Sequence, residues 1–149
     1  MKKVCFKVVV ILLLLILPTT LAIPTKRESP PEETTVEIRE KTDWDYFIEA
    51  LIWEESKGLT NVIGTHNDVG ILQITPIYVK EVNRLLKKEI YTLECRFDSI
   101  KSLEMFDVIQ SHYNPSKSID KAIKLHNPKA SENYGIRIKK KMNQLVNNI

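Results

Sequence analysis

The chain has 149 residues, 43% hydrophobic and 28% charged, enough for one domain. High apolar content with only four Gly excludes a disordered or collagen-like chain, and two Cys cannot build a disulfide scaffold. The formal charge of +3 falls to zero once Lys2, Lys3 and Lys7 are set aside with the N-terminal segment, so the remainder has no strong electrostatic claim on nucleic acid.

That N-terminal segment, residues 1–22, reads as a secretory signal. Lys2, Lys3 and Lys7 supply the positive start, and Val8 to Leu17 is an unbroken apolar run of ten. Pro18 breaks the run, and Thr20-Leu21-Ala22 places small residues at the −3 and −1 positions of a cut after Ala22. A membrane span needs about 20 apolar residues, so a stable anchor is not expected. Export to the periplasm or cell envelope is. Cys95 is then the one Cys left, and a small buried apolar residue is its commoner role.

Residues 23–41 carry Pro24, Pro30 and Pro31 among Lys, Arg, Glu and Thr, the composition of a flexible polar tether. From Thr42 onward the period is helical, with no internal repeat. The first helix is predicted at about 43–57, capped by Thr42 with Asp45 three residues on and stopped at Gly58. The loop 58–69, with Gly64, Asn67 and Asp68, has room for a short hairpin. A second helix starts at Pro76 behind Thr75 and runs to about Lys88. Further helices are predicted at about Ser99 to Tyr113, 117–126 and 132–147. The fold class is mostly α, a single domain over 42–149. Charge is uneven along it: 11 acids and 5 bases over residues 23–68, against 8 acids and 14 bases over 80–149. The run Lys139-Lys140-Lys141 could touch an anionic polymer, but a solvated face of the last helix is the simpler reading.

Chemistry enters on the first helix. Trp44, Phe47, Ile48, Leu51 and Ile52 form one apolar stripe, and Glu55 falls near its middle, four residues after Leu51 and three after Ile52. Glu54 lies on the stripe's edge, and Glu49 points away. A carboxyl on an inward face is costly to ionise, which raises its pKa and suits it to act as a general acid. The alternative is an early helix end that leaves Glu55 solvated before Gly58. A second cluster is Gly70-Ile71-Leu72-Gln73-Ile74-Thr75-Pro76. Gly70 permits close backbone approach or positive φ. Gln73 is a lone amide that can both donate and accept, as sugar hydroxyl and acetamido groups require, or serve as a satisfied structural residue.

Glu55-Ser56 ending a helix, then Gly70-Ile71-Leu72-Gln73-Ile74-x-Pro76 fifteen residues later, resembles the soluble lytic transglycosylase family, whose pattern is Glu-Ser, a loop, then Gly-Leu-Met-Gln-hydrophobic-x-Pro. The resemblance covers about residues 44–147. Val79 to Arg84 and Ser102 to Phe106 are similar to a small exported branch found in Bacteroidetes-type bacteria, and the likeness continues through Tyr113-Asn114-Pro115. It implies a lysozyme-like fold that cleaves the β-1,4 bond between N-acetylmuramic acid and N-acetylglucosamine in peptidoglycan, leaving a 1,6-anhydro end. Glu55 matches the family's catalytic Glu. Ser56 and Gln73 match residues that contact the sugar. Asn127 matches the Asn of a Tyr-Asn-Ala-Gly segment, in which His126 here replaces the Tyr and Pro128-Lys129 replace Ala-Gly. Tyr134 matches a Tyr facing the catalytic Glu, and it also belongs to an apolar stripe with Ile138, Met142 and Leu145.

Two other readings stay open. Goose-type lysozymes are similar in fold but carry an Asp directly after the Gln-hydrophobic pair, where this chain has Thr75. Asp68 is the candidate second acid for hydrolysis, with a turn role after Asn67 as the favoured alternative. The departures at His126 and Pro128 would also suit a non-catalytic wall-binding module of an envelope-spanning machine; intact Glu55, Ser56 and Gln73 argue against it. The expected partner is the peptidoglycan glycan strand, with a secretion or conjugation apparatus as a further candidate. No cofactor or metal site is expected, since three scattered His, His66 among them, and one Cys make no ligand spacing.

Overall fold

A computed structural model describes residues 39–148. The expected signal segment and all of the expected tether before Arg39 lie outside the described residues. Five α-helices follow in order: α1 Asp43–Ser56, α2 Pro76–Leu86, α3 Ser99–Tyr113, α4 Ile119–His126 and α5 Glu132–Asn147. A 3-10 turn, Glu94–Phe97, precedes α3. The fold is mostly α, and no described helix is long and apolar enough to cross a membrane.

The helix starts follow local chemistry. Thr42 and Asp45 form the expected capping box on α1. Arg39 makes a bidentate pair with Asp45 at 2.7 and 2.8 Å, and Lys41 pairs with Glu49, so the last residues of the expected tether are tied to α1. The Arg39 guanidinium, then the Thr42 bonds, hold the Asp45 carboxyl well below the usual range. Thr75 caps α2 with Pro76 at the first position, as the sequence predicts. Asp98 caps α3 through the N–H groups of Ile100 and Lys101.

Several expected boundaries shift. Lys57 adopts φ 56°, so α1 ends at Ser56, one residue short of the expected end at about 57. Lys87 at φ 54° ends α2 at Leu86. Lys117 at φ 51° and the Ser118 cap delay α4 to Ile119. In place of a hairpin in 58–69 there are two isolated antiparallel bridges, Ile63 with Val69 and Val69 with Ile74. The 3-10 turn is unannounced in the sequence, because nothing in Glu94-Cys95-Arg96-Phe97 has a helical period long enough to read.

One core runs through the domain. Phe47, Ala50 and Leu51 of α1 meet Ile71, Leu72 and Ile74 of the loop, Val79 and Val82 of α2, Met105 and Phe106 of α3, Ala122 of α4 and Ile138 of α5. Trp44, Phe47 and Phe106 form a tilted aromatic cluster with centroids 5.1 to 6.4 Å apart. α1 packs most extensively on α5. Across that seam Arg137 donates to Glu54 at 2.7 Å, so Glu54 serves as a clamp. Lys141 lies 4.3 Å from the Trp53 ring centroid and Lys139 pairs with Asp120 at 2.6 Å, so two members of the lysine run lie over neighbouring surface groups. Cys95 is a free thiol, partly buried against the core.

α2 and α3 are joined by a polar triangle. Arg84 donates to Glu81 at 2.7 Å, and Tyr113 donates to the same carboxylate. Arg84 first, then Tyr113, lowers the Glu81 pKa from 4.5 to about 2. The depressed carboxyl contributes stability that is present above pH 4.5 and lost as pH falls toward about 2. The side chain is about a third exposed and its partner Arg84 more so, so solvent screening keeps the contribution small. Melting temperatures of the wild type and Glu81→Gln should therefore differ near neutral pH and converge as pH falls through this window. A constant gap would contradict the assignment.

Candidate active site

The inward position of Glu55 is realised. α1 continues through Ser56, and the Glu55 side chain is only 13% exposed, so the solvated alternative does not hold. Its Oε1 accepts a hydrogen bond from the Tyr134 hydroxyl of α5. His126 Nε2, at the end of α4, lies 3.4 Å from the same oxygen, and that ring is 4% exposed. Three helices thus converge on one carboxyl oxygen. Burial, then the Glu55 charge and the hydrogen bond to it, pushes the Tyr134 phenol far above its ordinary value. The shift favours the protonated phenol, the form that donates to Glu55. The Tyr134 ring also belongs to the core cluster that includes Ile138, as the apolar stripe predicts.

Ser56 is buried, and its hydroxyl is engaged by protein. Oγ donates to the Ile71 carbonyl at 3.0 Å and accepts from Gly58 N–H at 3.2 Å. This bond ties the end of α1 to the second sequence cluster. In that cluster Ile71 and Leu72 are driven into the core, and the chain doubles back through bonds between Val69 and Ile74. Gln73 is left half-exposed at φ 46°, with Nε2 donating to Gly70 O at 2.9 Å and Val62 O at 3.3 Å. Its Oε1 makes no hydrogen bond among the described residues.

Arg96 holds this loop from behind. The guanidinium is buried and donates to Asn67 O at 2.6 Å, Leu93 O at 2.8 Å and Ile74 O at 3.2 Å. Burial lowers its pKa. Gly70 sits against the backbone of the same residue: at φ +79°, a Cβ there would lie 2.0 Å from Arg96 O. Both properties read into Gly70 from sequence are in use.

The remaining candidates separate. Asn127 caps the end of α4 and lines an open cavity of about 560 Å³ together with Pro128, Ser131, Tyr134 and Ile136. Pro128 therefore shapes a wall that Tyr134 shares. Asp68 takes the turn role: its Oδ1 accepts from His66 N–H at 2.9 Å, and Gly64 leaves room for the carboxylate. His66 is an exposed loop residue bonded to Thr65. Among the described residues no cluster of His, Cys, Asp and Glu could hold a metal.

Sequence reading missed the contact of His126 with Glu55, and the role of Arg96. His126 was detectable, since Ala122, Ile123 and His126 share one face of α4 at helical spacing. Arg96 lies in an irregular segment and gave no signal.

The chain matches the protein-family model "Transglycosylase SLT domain" over residues 35–148. It belongs to that family. The match spans all five helices, and it makes the protein a peptidoglycan lytic transglycosylase, an enzyme that cleaves a glycosidic bond of the glycan strand. Comparisons with curated proteins and with solved structures give no match.

The loop geometry can be tested by paired substitutions. Gly58 and Gly70 both have positive φ, at +84° and +79°, but a Cβ on Gly58 meets nothing within 4 Å. Gly58→Ala should cost about 1 kcal/mol from backbone strain alone, and Gly70→Ala at least about 2 kcal/mol more, read as urea midpoints at constant slope. Equal losses would mean that the Arg96 contact does not constrain the loop.

Proposed function

We propose that Glu55 is the single acid/base of this transglycosylase and that the product carries a 1,6-anhydro-N-acetylmuramic acid end. The observation that carries the reading is the Tyr134 hydroxyl bond to a largely buried Glu55. A carboxyl fixed at one oxygen and shielded from water is suited to deliver and recover one proton.

Glu55 protonates the leaving glycosidic oxygen as the bond to the muramic anomeric carbon breaks. The substrate's own acetamido oxygen stabilises the developing positive charge there. The Glu55 carboxylate then takes the proton of the muramic 6-hydroxyl as that oxygen attacks the anomeric carbon. The proton count closes on Glu55 and no water is consumed, which places the reaction outside the two-carboxylate scheme. Asp68 is bonded within its own turn, which supports this reading over a hydrolytic second acid. Gln73 and Asn127 serve as sugar contacts, with Tyr134 holding the acid. Ser56 acts through the loop it anchors. Residues 1–22 export the protein to the envelope, and 23–41 act as its tether there.

Mass spectrometry of muropeptides released from purified peptidoglycan tests the reading. Products one water lighter than hydrolysis products are expected from the wild type. Glu55→Gln should reduce their release by at least about a thousandfold. Ordinary reducing ends would show a hydrolase. An active Glu55→Gln would remove Glu55 from the chemistry.

A further inference from the structure

We propose that His126 is a positioning residue for Glu55, carrying its proton on Nε2 toward the carboxyl, with Tyr78 of α2 holding that tautomer from the other ring nitrogen. The inference rests on Glu55 as the acid/base and adds two residues to that site.

The His126 ring is fixed on several sides. Nε2 lies 3.4 Å from Glu55 Oε1, and Phe106 and Tyr78 meet the ring edge-on with centroids 5.8 and 6.0 Å away. The side chain is 4% exposed, so rotation into solvent is closed to it. The groups facing it are Glu55 from α1, Tyr78 from α2, Phe106 from α3 and, through the shared oxygen, Tyr134 from α5.

Two polar atoms here are buried without a hydrogen-bond partner among the described residues: His126 Nδ1 and the Tyr78 hydroxyl. They belong to neighbouring rings. Burying either alone is costly, and the large majority of such atoms are paired. A phenol O–H is a donor and an unprotonated Nδ1 is an acceptor; the two make no direct bond, so each supplies what the other lacks through one bridging water. With Nδ1 accepting, the neutral ring must carry its proton on Nε2, the nitrogen that lies 3.4 Å from Glu55 Oε1. The opposite tautomer would turn a lone pair on the carboxylate and, with Nδ1–H donating through that water to the phenol oxygen, would leave the buried Tyr78 hydroxyl proton with no acceptor.

The arrangement has a chemical consequence. Oε1 then receives two donors, Tyr134 O–H and His126 Nε2–H, so the transferable proton of Glu55 is confined to Oε2. After that proton leaves, the same two donors stabilise the carboxylate until it recovers one from the sugar. His126 touches no substrate atom in this scheme. It decides which oxygen of the acid carries the proton.

The test uses the purified protein with three variants beside Glu55→Gln. His126→Phe keeps a ring against Tyr78 and Phe106 but removes the N–H. Its kcat on peptidoglycan should fall about 10- to 100-fold with KM within about twofold of wild type, because a misplaced acid affects chemistry more than binding. His126→Gln, which offers an amide N–H, should recover at least about fivefold of that loss. Side-chain proton–nitrogen NMR of ¹⁵N-histidine-labelled wild type should show the Nε2–H tautomer at His126, and Tyr78→Phe should shift the ring toward a mixture. The wild-type NMR readout needs no activity and stands even if a variant misfolds. An Nδ1–H tautomer in the wild type, an unchanged tautomer in Tyr78→Phe, an unchanged kcat in His126→Phe or no recovery in His126→Gln would each overturn the proposal. An active Glu55→Gln would sink the acid/base reading itself, whereas an inactive one beside a fully active His126→Phe would sink only the role of His126.

Discussion

The bond from the Tyr134 hydroxyl to the Glu55 carboxyl is the constraint around which the domain is arranged. An acid on the inward face of α1 must find donors or be expelled to water. The donor comes from α5, at the far end of the described chain, so α1 and α5 have to lie side by side. They do, and Glu54 with Arg137 reinforces the same seam from outside. α4 is short and ends at His126, which brings an imidazole edge to the carboxyl from a third direction.

The second constraint is the loop bonded to the end of α1 through Ser56. Its fold depends on burying two apolar residues at the tip of a tight turn, Ile71 and Leu72, which drags the intervening backbone into the core. Buried carbonyls there need donors. Ser56 supplies one to Ile71, and Arg96 supplies others to Asn67 and Ile74. The loop and the end of α1 are thereby bonded to each other. Gln73 is positioned by what its neighbours bury, and its own bonds only finish the placement.

Much of this could be read in the amino-acid order, where one local rule decided the outcome. Thr42 with Asp45, Thr75 with Pro76, and the stripe carrying Glu55 each rest on spacing within one helix, and the structure keeps them. Features set by contacts far apart in sequence were not legible. Lys57, Lys87 and Lys117 end or delay helices by taking left-handed conformations that no residue preference announces. Arg96 acquires its role from carbonyls 22 and 29 residues upstream. His126 reads as a departure from the family pattern, yet its side chain is buried beside Glu55, because the face of α4 that holds Ala122 and Ile123 turns it inward.

Among the described residues five that are not glycine, Lys57, Asn67, Gln73, Lys87 and Lys117, hold positive φ, and the whole chain has only four Gly. Each such position opposes the intrinsic preference of an L-residue by about 1 kcal/mol. The domain therefore carries a reserve of unrealised stability in its turns. The three lysines are exposed and none is a candidate site residue, so glycine at those places would raise the tolerance of the fold to other changes while leaving the cleft untouched. Gln73 is the exception. Its backbone strain belongs to the site, and relaxing it would trade the placement of the amide for robustness.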